Sequence, residues 1–317
     1  MKRTIIAAAA ALVLSAGTGS DAAAQTVGIG TLPQGSQGFA VAAAVAKIAS
    51  EAGGLDARAV GQGGSNVYLP QVARGEIEFG TSNTFESVFA ARGTGNFEGR
   101  PLPQLRMVAA LTPFRTGIMV RRDSGIRSVQ DLRGRPFPTD YTAQRLVSVM
   151  LDAALAMAGM TTADLTRVPV PNFVRGAELL ASREVDGVLL APGSGVVQQA
   201  DSRAGVTFID LPTGPEAEAA LSGRLPGARI VTVQPGIAGV TEPTAMMGYE
   251  YTLVAGAGVP EDTVYRLVKA LHGGQAALAA ANPEFADWNP AEMAPAIEGI
   301  EYHPGAVRFY REVGLMR

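Results

Sequence analysis

A chain of 317 residues with 26 basic and 29 acidic side chains, a formal net charge of −3 and no cysteine closes off several classes at once. A mildly acidic surface gives nucleic acid or an anionic membrane nothing to bind. The missing cysteines remove disulfides, thiolate metal sites and thiol nucleophiles, and only His272 and His303 remain for an imidazole site, so no metal and no cofactor is expected. The length favours two domains with a core large enough to do without disulfides.

In chain order, Lys2 and Arg3, the apolar run from Ile5 to Leu14 and the small residues Ala22, Ala23 and Ala24 form a secretory leader over residues 1–24. The run is too short to span a bilayer. The mature protein is therefore expected to be soluble and periplasmic after cleavage near Ala24, with no membrane-spanning segment, and without the leader its net charge is about −4. Val27 to Thr31 predicts a short buried strand, Pro33–Gly35 a turn, and Ser36 the opening of a helix. A strand that feeds a helix start leaves backbone N–H groups with no partner inside the helix, and with the helix dipole they suit an anion. Helical spacing of Phe39, Val41, Val45 and Ile48 carries this helix to Gly53-Gly54. Leu55 to Val60 reads as a strand running into Gly63-Gly64-Ser65-Asn66, followed by a helix over 66–74 bent at Pro70. Ile77 to Gly80 is a third strand, with Thr81-Ser82-Asn83 as its terminal loop and a helix through Ala91. Arg106 to Leu111 and Gly117 to Val120 read as two strands separated by Thr112–Arg115.

A second block repeats the unit. Ser128 and Asp131 form a capping box, and Arg135 to Asp140 leads through Tyr141-Thr142-Ala143-Gln144 into a long helix closed by Gly159. Arg167 to Val170 precedes a helix opening at Asn172–Arg175, Val185 to Leu190 precedes one opening at Pro192–Gly195, and Val206 to Leu211 is a further strand. Residues 214–245 carry no clear pattern; Tyr249 to Ala255 returns to a strand, and Glu261 to Ala281 reads as one helix. Alternating strands and helices predict an α/β protein, with loops at the carboxyl ends of strands forming the site. Residues 25–115 with 246–317 are expected to form domain one and residues 116–245 domain two. The chain then crosses twice between them, which makes a hinge and a closing clamp.

Several of these stretches, in order, resemble one family. They are the leader, Gly30-Thr31-x-Pro33-Gln34-Gly35-Ser36, the Gly-Gly-Ser-Asn loop, and Arg74-Gly75-Glu76-Ile77-Glu78-Phe79-Gly80. Asp123-Ser124-Gly125-Ile126 with Asp131-Leu132-Arg133-Gly134, Val185-Asp186-Gly187 and Tyr302-His303-Pro304-Gly305-Ala306 follow. Together they resemble the TAXI family, the TRAP-associated extracytoplasmic immunogenic solute receptors, over the whole mature chain. The resemblance implies a type II periplasmic binding protein fold: two α/β domains joined by a hinge with two crossovers. It also implies delivery of a small organic anion, a glutamate-like or 2-oxo acid, to TRAP transporter membrane subunits, driven by an ion gradient. A monomer is expected. The chain departs from family members at Leu32–Gln37 and at Tyr141–Gln144, both where the ligand should sit.

The expected ligand contacts are Gln34, Gly35 and Ser36; Gly64, Ser65 and Asn66; Ser82 and Asn83; Tyr141, Thr142, Ala143 and Gln144; and Gly193. Arg115, Arg145 and Arg175 compete as the guanidinium partner of a carboxylate, with Arg115 and Arg175 favoured by position. Ser36, Ser65 and Asn83 also read as helix N-caps, and Glu86 as the closing arm of a capping box on Asn83. Phe114, Tyr141 and Phe173 are candidates to wall the cleft, Arg121 and Arg122 read as solvated, and Trp288 as packing. An enzyme is disfavoured. Gly28-Ile29-Gly30 lacks the third glycine of a dinucleotide loop, no Gly-x-Ser-x-Gly is present, and neither histidine falls in a loop of the site. The surviving alternatives are a secreted lyase or dehydratase with Glu86 as general acid or base, which a carboxyl raised by burial in the cleft would favour, and a binding protein serving an ABC importer or a sensor kinase.

Overall fold

The computed structural model describes residues 26–317, so the expected leader lies outside the described residues. The first elements are β1 (Thr26–Thr31), α1 (Gln37–Glu51), β2 (Asp56–Gly61), α2 (Ser65–Arg74), β3 (Phe79–Asn83) and α3 (Thr84–Arg92). Next come β4 (Leu105–Arg121), β5 (Pro136–Tyr141), α4 (Arg145–Met157), β6 (Thr166–Val170), α5 (Phe173–Ala181), β7 (Gly187–Leu190), α6 (Gly195–Ala204) and β8 (Val206–Ile209). The chain ends with α7 (Pro215–Ser222), β9 (Arg229–Val233), β10 (Thr244–Gly256), α8 (Glu261–Gly273), α9 (Gln275–Ala281) and α10 (Pro304–Glu312).

Two lobes result. In the first, β1 lies parallel between β2 and β3, and β10 runs antiparallel to both β3 and β4, giving the order β2-β1-β3-β10-β4. α1 packs on this sheet because Val41, Ala42, Val45, Ile48 and Ala49 fall on one buried face, and Ser36 caps it by accepting from the Phe39 amide. In the second, β7 and β8 pair with β4, and β5 pairs parallel with β6. The β5–β6 ladder is tied to the rest through the Asp186 amide, which donates to the Pro136 carbonyl at 2.9 Å.

β4 and β10 join the lobes. β4 pairs with β10 as far as Thr116 and with β7 and β8 from Gly117 onward, while the start of β10 pairs with β9. The two strands expected on either side of Thr112–Arg115 are thus one. Pro113 lies opposite Glu250, beside a register shift in β10, and an irregular step of this kind tolerates a residue that cannot donate. The mixed α/β, two-lobed architecture expected from the sequence is present.

Other departures have local causes. β3 begins later than expected and takes in Thr81, Ser82 and Asn83, because the distant β10 supplies their ladder partners Leu253, Thr252 and Tyr251. Pro70 stays inside α2. In the second turn it costs one i−4 hydrogen bond without ending the helix. The helix expected over 261–281 breaks into α8 and α9 at Gly273-Gly274. The unassigned stretch yields α7 and β9. Arg121 is buried, not solvated: its guanidinium donates to the Val185 carbonyl at 2.8 Å and pairs with Asp186 at 3.0 Å. Trp288 is buried, edge-on to Phe285.

Candidate functional site

Helices that follow strands in both lobes begin at the same place. Ser36 of α1's cap, Ser65 of α2 and Asn83 of α3's cap line one cavity together with Gln144, Phe173 and Ser194, which open α4, α5 and α6. The lobes are shut over it. The Val196 amide donates to the Gly35 carbonyl at 3.2 Å, and the Arg145 amide donates to Asn66 Oδ1 at 3.1 Å. Gly64 lies against the opposite lobe so closely that a Cβ there would overlap the Ala143 carbonyl oxygen, which is why the residue has to be glycine in this arrangement.

The cavity holds about 60 Å³. On the measure by which one water takes about 10–15 Å³, this is room for a small organic molecule. Its walls are mostly apolar: Leu32 and Phe114 with the rings of Tyr68, Tyr249 and Tyr251 on one side, Leu146, Val147, Met150, Phe173, Leu189 and Leu190 on the other. Phe114 stacks on Tyr251 at 4.7 Å and on Tyr249 at 5.7 Å. The Tyr249 hydroxyl shares a 2.7 Å hydrogen bond with Thr116, and Tyr251 donates to Thr81.

Two side-chain amides of the cavity have their oxygens taken. Asn83 Oδ1 accepts from the Glu86 amide at 2.9 Å, and Gln144 Oε1 accepts from the Phe173 amide at 3.3 Å. Because a backbone N–H can only donate, each bond fixes the side-chain oxygen and turns the NH₂ away from it. The Gln37 and Gly38 amides, in the first turn of α1, have no carbonyl inside the helix. Ser194 is spent, donating to Ala191 and accepting from Val197. Among the described residues no lysine, arginine or histidine lines the cavity.

One ionisable carboxyl does. Glu86, 2 % exposed, accepts from Ser65 Oγ at 2.5 Å and Asn96 Nδ2 at 2.7 Å on Oε1, and from Ser82 Oγ at 3.4 Å on Oε2. Burial pushes its carboxyl up to about 7, against the pull of these hydrogen bonds. Its amide takes the Asn83 cap, but its carboxylate turns to Ser65 and Asn96, so the expected capping box stays open. Ser65 is not a cap either: Gly64 holds that position and the Ser65 hydroxyl serves Glu86.

The expected contacts therefore divide. Ser36, Ser65, Asn83 and Gln144 line the cavity, as do Phe114 and Phe173. Ser82 reaches it only through Glu86. Gly35, Gly64, Asn66 and Ala143 lie at the seam between the lobes. Gln34 is exposed, and Thr142 and Gly193 are held by backbone bonds to Val170 and Ala238 outside the cavity. The arginines stand apart. Arg115 pairs with Glu284 at 2.9 Å, Arg175 with Glu178 at 3.0 Å, and Arg145 contributes only its amide to the seam. Tyr141 is buried in the second lobe, its hydroxyl without a hydrogen-bond partner among the described residues. Tyr249 and Tyr251 were missed as site residues, although spacing of two on a strand places both on one face. Nothing in the sequence marked Thr116 or Met150.

A model of the NMT1-like family matches residues 29–314. A solved structure described as a periplasmic transporter has a TM-score of 0.57 at 13 % identity, covering 92 % of this chain and 94 % of that one. MatC from Rhodopseudomonas palustris with bound malate gives 0.54 at 13 %, covering 82 % and 88 %. The alkanesulfonate-binding protein SsuA from Xanthomonas axonopodis pv. citri bound to MOPS gives 0.52 at 15 %, covering 86 % and 88 %. At these identities the likeness is one of fold, the two-lobed α/β fold of periplasmic binding proteins.

Proposed function

We propose that this chain, which belongs to the NMT1-like family, is an extracytoplasmic receptor that closes its two lobes over a small organic anion and presents it to a membrane transporter. The observation that carries this reading is the polar inventory of the cavity. Asn83 and Gln144 line it with their amide oxygens already committed to backbone N–H groups, which leaves their NH₂ groups to donate, and the start of α1 offers backbone N–H groups. A carboxylate or sulfonate accepts from several such donors at once, each contributing about 1.5–3 kcal/mol in charge-assisted form. Helix dipoles from both lobes add to the attraction. Malate in MatC and MOPS in SsuA are acids held by proteins of this fold.

In this reading the hinge lies in β4 and β10, separating residues 25–115 and 246–317 from 116–245. Carboxylates, 2-oxo acids and glutamate-like amino acids make up the ligand class, and the protein acts as a monomer in the periplasm. The resemblance to TAXI proteins supports TRAP membrane subunits as the client; copurification with ABC or sensor-kinase subunits instead would reassign it. A thermal-shift panel of such acids tests the receptor: a true ligand at a hundred times its Kd adds about 2.7 kcal/mol. Scattering curves that are identical with and without that ligand would overturn closure.

A lyase or dehydratase is the second reading, favoured by the Glu86 carboxyl at about 7. Its weakness is the absence of a partner. The other titratable groups against Glu86 are Tyr68, Tyr249 and Tyr251, whose hydroxyls burial holds above their usual range. Incubation with the acid that stabilises the protein most should give no product; turnover abolished by Glu86→Gln would favour the enzyme.

A further inference from the structure

The receptor reading leaves Glu86 unexplained, since a buried carboxyl is a poor neighbour for an anion. Several elements meet around its side chain. α2 presents Ser65 and Tyr68 to it, β3 presents Ser82, the turn at Gly95–Phe97 presents Asn96, and β10 presents Tyr249 and Tyr251. The tyrosines are the titratable groups among these, and burial keeps all three neutral. Arg100, an exposed residue, donates to the Asn96 carbonyl and makes no bond to Glu86. Two strong donors occupy Oε1, while Oε2 has only the 3.4 Å contact from Ser82.

Two negative charges cannot share a closed, mostly apolar chamber of about 60 Å³ with no cation in its wall. Resting on the anion reading above, we infer that Glu86 joins the ligand as a neutral acid: capture takes one proton from solvent onto Glu86 Oε2, and the site is built for small monocarboxylates with an apolar body rather than for dianions. The ligand stays ionised and accepts from Asn83, Gln144 and the α1 amides, and the Glu86 O–H becomes one more donor. A second carboxylate would have to lie against Leu146, Val147, Met150 or Leu190, where nothing compensates it. The glutamate-like members of the expected class thereby drop out.

With Glu86 half-titrated near pH 7 in the free protein, linkage sets the size of the effect. Calorimetric titration with straight-chain C3–C6 monocarboxylates, benzoate, succinate, glutarate and butylamine should find a monoanion tightest. The monocarboxylates and benzoate are almost fully ionised from pH 6 upward, so a tightest ligand among them contributes almost no slope of its own. The affinity of the tightest one should fall about tenfold from pH 6 to pH 8 and about a hundredfold from pH 6 to pH 9. Titration in buffers of different ionisation enthalpy should count about half a proton taken up at pH 7, rising toward one at pH 8. Glu86→Gln should bind with no pH slope and no proton uptake. The proton count needs only the native chain, so it decides the matter even if the variant folds poorly. A monoanion bound with a flat pH profile, a slope that survives in Glu86→Gln, or a dianion as the tightest probe would overturn this inference and leave the receptor standing, whereas butylamine as the tightest probe would overturn the anion reading with it. Absence of any bound acid from pH 6 to 9, in this panel and in the broader one, would overturn the receptor reading itself.

Discussion

The two walls of the cavity are made of different material. The first lobe brings Ser36, Ser65, Asn83 and Glu86 at its helix starts, whereas the second brings Leu146, Val147, Met150, Phe173, Leu189 and Leu190 and a single free amide, on Gln144. Both lobes are built by the same strand–helix unit, so topology does not produce the asymmetry; it comes from which side chains follow each helix cap. After Asn83 and Gly64 the chain continues with polar residues that reach one another, and after Gln144 it continues with Leu146 and Val147. In the proposed receptor the first lobe would select the ligand by hydrogen bonding, and the second would exclude water and strengthen those bonds by lowering the local dielectric.

The sharpest way to break this division is at the seam. Gly64→Val would put side-chain atoms where the Ala143 carbonyl now sits. It should weaken ligand binding by a hundredfold or more, about 3 kcal/mol, while the ligand-free protein melts within about 3 °C of the native chain. Calorimetry and scanning calorimetry read the two effects separately.

Next in size is the pH dependence of the empty protein. Glu86 sits at about 7 when folded and at its ordinary 4.5 when unfolded, so between those values the folded state holds the extra proton. Stability due to this group is therefore greatest below pH 4.5 and declines as pH rises toward 7, by about 3 kcal/mol in all. Urea unfolding at pH 5, 6, 7 and 8 should show this slope in the native chain relative to Glu86→Gln, which lacks it.

Asn83 combines its structural role as a cap with the proposed binding role, and one substitution can separate the two. Asn83→Ser keeps a good cap for α3 but removes the NH₂, and should cost binding about 1.5–3 kcal/mol with little change in melting temperature. Asn83→Ala should lose about 1 kcal/mol of folding stability as well. The smallest effect is expected at Arg115. Its pair with Glu284 is partly exposed and outside the cavity, so Arg115→Ala should change stability by less than about 1 kcal/mol and ligand affinity not at all.

The alternation of strands and helices, the Ser36 and Asn83 caps and the two-lobed fold were legible because they depend on local spacing. What escaped was non-local. β3 takes in Thr81–Asn83 only because β10, more than 160 residues later, pairs with them, and β4 runs through Pro113 only because β10 shifts register beside it. Asn83 and Gln144 were expected contacts, but their character as donors was hidden for the same reason: the Glu86 and Phe173 amides claim their oxygens, a fact of geometry rather than of residue type. The arginines misled because a guanidinium is the usual partner of a carboxylate, yet Glu284 and Glu178 had already paired with two of them.

Phe114, Thr116, Tyr249 and Tyr251 form a floor for the cavity, and all four lie on β4 and β10, the strands that pass between the lobes. A surface borne by the connecting strands themselves is present whether the lobes are apart or together. In the proposed cycle, a ligand thus meets this floor before anything moves. Arrival should then proceed at a rate nearly indifferent to changes in the second lobe. Residence time should be set by how often that lobe lifts, so substitutions on its apolar wall should appear in koff and leave kon alone.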